Sequence, residues 1–263
     1  MQDKIIVVDK LTKKYAGDVT AVDGISFRVD RGEFFGFLGP NGAGKTTTIR
    51  MLANLTKKTS GSAKIDGVEV SDNPQEIYKK IGFAMQEVGL DETASAREMM
   101  MLHGKLYHLS NDEIEKRMKE LLKLVELEKV ADKYASTFSG GMRRRLDLAL
   151  ALIHRPKVLF LDEPTVGLDP HARNLVWEYL KDLNKKGMTI FLTTHFMDEA
   201  EQLCTCLAII DNGKIVENGS PKELIAKHKA KTLEEVFLAT TGHSFGESEI
   251  NTNATDPYAR LRT

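Results

Sequence analysis

Apolar positions in this chain fall into short uninterrupted runs, separated by longer stretches in which they recur with helical spacing. The runs at residues 5–8, 34–38, 81–85, 158–161, 189–193 and 207–210 have the length and content of strands. Most are apolar on both faces, which predicts a largely parallel sheet covered on both sides, with helical segments such as 46–55 and 172–185 as the cover. Residues 22–29 and 62–70 differ: they alternate and carry turn residues (Gly61, Asp66-Gly67), the pattern of an antiparallel region near the N-terminus. The stretch 91–135 is rich in Met, Leu, Glu and Lys at helical spacing, with Ser110 and Glu113 placed like a capping box, and predicts a helical insertion. The expected fold class is therefore α/β: a mostly parallel sheet flanked by helices, an N-terminal antiparallel β region and a helical subdomain. Residues 242–263 are polar and without period, so a loosely ordered tail is expected there.

Composition narrows the partners. Thirty-seven basic against thirty-eight acidic residues leave a net charge of -1, without the long-range field a general nucleic-acid binder uses. No nucleic-acid partner is expected, and any anion must be held locally. The longest stretches free of Asp, Glu, Lys and Arg, among them 34–44 and 187–197, are eleven residues each, against the roughly 18 or more of a membrane span. Asp3, Lys4, Asp9 and Lys10 surround only a short apolar run, so no secretory signal is expected and the cytoplasm is the expected location. Cys204 and Cys206 stand two apart in an apolar run. On a strand they would share a face, which disfavours a disulfide and leaves packing thiols.

The first chemistry lies after the run 34–38. Gly39, Pro40, Asn41, Gly42, Ala43, Gly44, Lys45 and Thr46 fit GxxxxGK[ST] between a predicted strand and a predicted helix that continues from Thr47. Glycines let successive backbone N–H groups turn inward on phosphates, and the helix start adds partial positive charge. Lys45 reaches the β and γ oxygens, and Thr46 ligates Mg²⁺. Ligands of open α/β sheets bind outside the carboxyl ends of the strands, where three other strands also deliver polar residues. These are Gln86, Asp162-Glu163 and Thr194-His195. Asp162 suits Mg²⁺, with Gln86 a further candidate ligand beside Thr46, while Glu163 suits the base for an attacking water. Gln86 and His195 are candidates for orienting that water or sensing the γ-phosphate. A solvated strand end, a loop amide and a capping histidine are the plainer alternatives, and convergence on one edge weighs against all three.

A second anion site is written further on. Ser139 precedes a helical stretch at 142–153 and is a good N-cap, and Gly140 and Gly141 bare backbone donors. At this point the residues resemble a known family, the ATP-binding cassette (ABC) ATPases that power membrane transporters, over about residues 3–240. Ser139-Gly140-Gly141 looks like its LSGGQ signature, 159–163 like its Mg²⁺ and catalytic-base strand, and Gly167-Leu168-Asp169 like its D-loop. Gln86 falls at its Q-loop, His195 at its switch histidine, and Tyr15 resembles the aromatic that stacks on adenine. The resemblance implies a P-loop NTPase core that binds and hydrolyses ATP with Mg²⁺. It implies two cassettes packed head to tail, expected to be copies of this chain, each ATP lying between one phosphate loop and the opposite Ser139-Gly140-Gly141, with Asp169 near the seam. It also implies separate transmembrane permease subunits as partners and a position at the cytoplasmic face of the membrane, the helical insertion receiving a short helix from the permease. Residues 232–237 are similar to the ends of exporter-type cassettes, which favours export over import.

The match has departures. Phe138 and Met142 replace the signature's first Leu and last Gln, and Thr205-Cys206 stands where many relatives have Asp-Arg, so a structural ion pair is expected to be missing. Arg143-Arg144-Arg145 is expected to be a solvated face or a set of local ion pairs rather than a nucleic-acid patch. The rival functions are a cassette ATPase of a soluble assembly and an importer ATPase.

Overall fold

Ten strands and nine helices lie among the residues described by the computed structural model, which are 3–242 except 18 and 87. The first half holds β1 (Lys4–Lys14), β2 (Thr20–Asp30), β3 (Phe34–Leu38), α1 (Lys45–Leu52), β4 (Ser60–Ile65), β5 (Val68–Glu69), α2 (Pro74–Lys80) and β6 (Ile81–Ala84). Then come α3 (Ala96–Leu106), α4 (Asn111–Leu124), α5 (Gly140–Ala151), β7 (Val158–Asp162), α6 (Pro170–Lys185) and β8 (Thr189–Thr194). The chain closes with α7 (Met197–Leu203), β9 (Cys206–Asp211), β10 (Lys214–Gly219), α8 (Pro221–Lys227) and α9 (Leu233–Thr241). The polar tail expected at 242–263 lies, from residue 243 on, outside the described residues.

The alternating strands form a four-stranded antiparallel sheet in the order β2-β1-β4-β5, and β4 turns into β5 through Asp66-Gly67, both at positive φ. The apolar runs from 34–38 onward form, together with β10, a six-stranded sheet, β10-β9-β3-β8-β7-β6, parallel except for the β9–β10 hairpin. The run 5–8 instead lies in β1 of the antiparallel sheet, with Ile5, Ile6 and Val8 buried between the two sheets. Period-2 alternation then assigns each strand residue to one of two cores. Phe35, Phe37 and Phe191 meet Phe27 from β2, and Phe160 packs on Phe191, with neighbouring ring centroids 5.4–5.9 Å apart, which glues the two sheets together. Phe34, Leu38, Leu159, Leu161, Ile190 and Leu192 face the other way, onto the core shared with α3 to α7. Being buried on both sides is why these strands carry no polar alternation.

Register decides what emerges at the sheet's edge. Leu38 pairs with Thr194, Asp162 with Thr193 and Ala84 with Leu161, so β3, β8, β7 and β6 end nearly level. The residues that follow, Gly39, His195, Glu163 and Gln86, leave from one edge.

Helix starts carry the expected local chemistry. Ser110 and Glu113 form the capping box of α4, as Ser95 and Glu98 do for α3, satisfying first-turn N–H groups that would otherwise be bare. Two expectations need correction. The helix predicted to run to residue 55 stops at Leu52, because Asn54 enters the left-handed region and turns the chain. The cysteines do not share a strand: Cys204 caps α7, its N–H donating to the Ala200 carbonyl at 3.0 Å, and only Cys206 opens β9. Both thiols are free, and Cys204 packs against Gly36, where a Cβ would collide with its Sγ.

His154, just past α5, shows how this core titrates. Its ring stacks on Tyr107 at 3.7 Å between centroids, and its Nε2–H donates to the Ile81 carbonyl at 2.8 Å. Burial pulls its pKa down to about 4 from an ordinary 6.5. The unfolded chain therefore takes up a proton that the folded chain refuses. This stability is complete above 6.5 and is lost as pH falls, amounting to about 2 kcal/mol by about pH 5. Asp147, pushed up to about 6 by burial, works in the opposite sense over the same interval, so a variant must isolate the histidine. Between about pH 7.5 and about pH 5, wild type should lose about 2 kcal/mol more than His154→Phe, read from urea midpoints. Equal losses would show that the buried ring does not govern the difference.

Candidate active site

The phosphate loop is built where β3 hands the chain to α1. Gly44 lies at φ 107 against the Ala21 carbonyl, a conformation and an approach that leave no room for a Cβ. It also caps α1 without any side-chain hydrogen bond, and no acidic residue sits in the first turn. The first N–H groups of α1 are thus available to an anion, with the helix dipole behind them.

Lys45, only 4% exposed, folds back into this loop. Its ammonium donates to the carbonyls of Gly39 (2.8 Å) and Pro40 (3.1 Å) and lies 3.3 Å from Glu163 Oε1. Burial lowers its pKa, while Glu163 and Asp162 pull it back up. Thr46 Oγ1 donates to Asp162 Oδ1 at 3.3 Å, and the Thr193 hydroxyl donates to the same oxygen. Burial raises the pKa of Asp162 and those two hydroxyls oppose it. Thr46 and Asp162 thus pair a hydroxyl with a carboxylate, the hard oxygen donors that magnesium prefers.

Glu163 is the most constrained residue of the group. It sits at φ 48, a left-handed conformation that costs on the order of 1–3 kcal/mol away from glycine and persists only where its surroundings impose it. Its N–H donates to the carbonyl (3.1 Å) and the hydroxyl (3.2 Å) of Thr193. Its Oε1 is 3.2 Å from His195 Nδ1 as well as 3.3 Å from Lys45. Burial alone would raise its pKa, but His195 and Lys45 outweigh burial and hold it below the usual carboxylate range. The side chain is therefore an ionised carboxylate, 7% exposed, facing a cavity.

That cavity, about 440 Å³, is lined by Lys45, Thr46, Gln86, Glu163 and His195 together with Asn41, Gly42, Gly44 and Thr47. It brings together most of the residues singled out from the sequence. Gly39, Pro40 and Ala43 complete the loop around it, and Asp162 reaches it through Thr46. A larger cavity of about 770 Å³ lies over α3 and α4 and contains none of these residues.

Five sequence candidates lie elsewhere. Ser139 caps α5, its Oγ accepting from the Met142 N–H at 3.3 Å; Ser139 and Gly140 are exposed, and neither they nor Gly141 line the 440 Å³ cavity. Asp169 caps α6, accepting from the N–H groups of Ala172 and His171 at 2.9 Å, and these hold its carboxyl below the usual range. Tyr15 is half-buried beside the turn from β1 to β2, with the Lys13 ammonium 4.7 Å above its ring, and it too is absent from the cavity wall.

Two participants were not singled out from the sequence. Thr193 supports both Asp162 and Glu163, and its signal is a threonine with no exposure within an apolar strand. Arg144 stands in the basic run that was expected to be solvated or locally paired. Arg143 pairs with Glu92 and Arg145 with Glu126, but Arg144 is 2% exposed and turned inward. At the opposite edge of the sheet, Thr205 takes the place of the expected missing ion pair by accepting from and donating to the Phe34 backbone.

Known proteins match this arrangement. Residues 22–166 fit the sequence model of the family described as ABC transporter. The chain is 46% identical over 233 residues to a Nod factor export ATP-binding protein of Ralstonia nicotianae, covering 89% of this chain and 72% of that one. It is 41% identical over 233 residues to a linearmycin resistance ATP-binding protein of Bacillus subtilis, covering 89% and 75%. Among solved structures it superposes with a TM-score of 0.73 and 28% identity on a dimeric ATP-binding cassette in a post-hydrolysis state bound to ADP and Pi, covering 82% of this chain and 98% of that one.

Proposed function

The chain belongs to the ABC transporter family, and from that premise we infer that the 440 Å³ cavity is one half of an ATPase site completed by a second copy. It is an ATP-binding, ATP-hydrolysing subunit of a transporter, and its cofactors are ATP and Mg²⁺. Subunits of this kind dimerise and work with membrane subunits. What remains to be assigned is the role of each residue, the identity of the second cassette and the direction of transport.

The observation that carries the assignment is the contact of one ionised carboxylate, Glu163, with both Lys45 and His195 at the mouth of an uncapped helix. A triphosphate entering this cavity takes Lys45 from the Gly39 and Pro40 carbonyls, and the exchange replaces neutral acceptors by charged ones. The N–H groups of the loop and of α1 hold the phosphate oxygens, and Tyr15 supplies a face for the base. Thr46 and Asp162 would hold a magnesium ion, with Gln86 beside them, and the bound ion would supply charge neutralisation for the phosphates. Glu163 accepts the proton of the attacking water as the new oxygen–phosphorus bond forms and the bond to ADP breaks. His195 holds Glu163 in place and donates toward the γ-phosphate.

Ser139, Gly140 and Gly141 complete the site across the interface. Their helix start offers the N–H groups of an anion site and lies outside the cavity of its own chain. A two-fold arrangement places each tip on the other copy's nucleotide, so ATP stabilises the closed pair and its cleavage releases it. We place this pair, as a homodimer, on the cytoplasmic face of a membrane under separate permease subunits. Export is the direction, on the likeness to two relatives named for export and for resistance. Among the described residues no helix is long and apolar enough to cross a membrane, so any spanning segments of the machine belong to other chains or lie outside these residues.

Isolation of the tagged full chain from detergent-solubilised cells should bring down a multi-span integral membrane protein in stoichiometric amount. Recovery with soluble assembly factors and no membrane protein would instead support the rival scaffold role.

A further inference from the structure

We propose that Arg144 is a positioning residue which, from one buried guanidinium, fixes the backbone on both sides of Glu163 and immediately before Gln86. The inference rests on the roles assigned above to Glu163 and Gln86. Arg144 Nε donates to the Pro164 carbonyl at 2.7 Å, and Nη2 points to the Asp162 carbonyl at 3.5 Å. Nη1 donates to the Met85 carbonyl and, at 3.0 Å, to Asp147 Oδ2. Asp162 and Pro164 are the two neighbours of Glu163, and Met85 precedes Gln86. A single side chain from α5 therefore holds the ends of β6 and β7, the two strands that deliver the base and the glutamine.

Chemistry explains why arginine is required. A planar guanidinium presents five donors in a rigid fork, whereas an ammonium is a point charge that cannot span three carbonyls in fixed directions. A cation this deeply buried is costly unless it is paired, and Asp147, one turn along α5, supplies the counter-charge. Glu163 also needs support, because its left-handed backbone is strained and must be imposed from outside. Thr193 holds its N–H from one side, and Arg144 holds the flanking carbonyls from the other.

The position of Arg144 has a consequence for the shared site. It lies five residues along α5 from Ser139, about 7.5 Å by helical rise. Ser139 caps that helix and meets the partner's nucleotide, while Arg144 grips the catalytic edge of its own chain. A shift of α5 on engaging the partner's ATP is thereby delivered to Glu163 and Gln86, and each nucleotide is informed of the other. A double-mutant cycle measures that coupling.

The test uses the full chain. Arg144→Met keeps length and burial while removing every donor, and Arg144→Lys keeps the charge. Each is compared with wild type for kcat, KM for ATP, affinity for a fluorescent ATP analogue and thermal midpoint. Misplacing a base by about 1 Å costs about 10²-fold, so kcat of Arg144→Met should fall by about that factor, with KM and analogue affinity within about threefold of wild type. Arg144→Lys should lose at least about tenfold in kcat, since one ammonium replaces the fork. Paired with Ser139→Ala, the double variant should be less impaired than the product of the two single losses, because both act through α5.

Wild-type kcat in Arg144→Met would overturn the proposal. Should that variant fail to fold, wild-type kcat in Arg144→Lys would overturn it equally. Loss of analogue affinity in step with kcat would assign Arg144 to general support of the fold and would also overturn it, as would strictly multiplicative losses for the coupling. A Glu163→Gln control separates the two levels of inference. If it turns over normally, the reading of Glu163 falls; if it is inactive while the Arg144 variants are not, only the present proposal falls.

Discussion

Glu163→Gln should bind ATP and barely hydrolyse it. The substitution keeps the shape of a side chain that is 7% exposed, so the fold and the phosphate loop have little to adjust. It removes the one charged acceptor that stands beside both His195 and Lys45. An amide cannot take the proton of the attacking water, and loss of a general base costs at least about 10²-fold in turnover. The same change takes a negative charge away from the space the γ-phosphate must enter, so the nucleotide-bound pair should persist. Phosphate release and size-exclusion chromatography with Mg-ATP read the two effects separately. Unimpaired hydrolysis would remove Glu163 from the role of base.

Lys45→Ala acts one step earlier, on binding. The ammonium is poised between two loop carbonyls and Glu163, and the triphosphate replaces these with oxygens of higher charge. A hydrogen bond to a charged group is worth about 1.5–3 kcal/mol, so losing two of them should weaken ATP binding by about 10²-fold or more. Titration with a fluorescent ATP analogue measures this directly, and an unchanged affinity would contradict the phosphate-loop assignment. The variant also probes sharing between copies. Ser139→Arg should block the helix tip, and mixing it with Lys45→Ala chains should restore at most one composite site per pair. Full activity from either variant alone would show that the two halves of the site do not meet across a dimer.

Much of this is legible in the amino-acid sequence, for local reasons. The run Phe34–Leu38 is a strand with the same ends in sequence and structure, because its apolar identity is set residue by residue. The phosphate loop is legible because its function needs glycine at positions where no other residue fits, and such a need leaves a spaced signature. N-caps at Ser110 and Ser139 are legible because the side chain bonds only three residues ahead. By contrast, the end of α1 and the placing of Cys204 depended on where a helix stops. Apolar periodicity marks such points poorly, since helix ends answer to backbone conformation and to what lies beyond them.

The basic run shows the limit most clearly. Arg143, Arg144 and Arg145 are indistinguishable as letters, yet two pair with carboxylates near the surface and the third is sealed beneath the catalytic edge. Helical rotation sends consecutive residues in different directions, and only the neighbours met by each direction assign it a role. The amino-acid sequence by itself determined the strands, the glycine cradle and the chemistry available at each strand end, because these follow from short-range sterics and period. Only the tertiary structure decided that β6, β7, β8 and β3 end level, that Glu163 is bent into a left-handed turn between His195 and Lys45, and that Arg144 faces inward. Those are outcomes of pairing between segments distant in the chain, whose register is set by a shared core and not by any one segment.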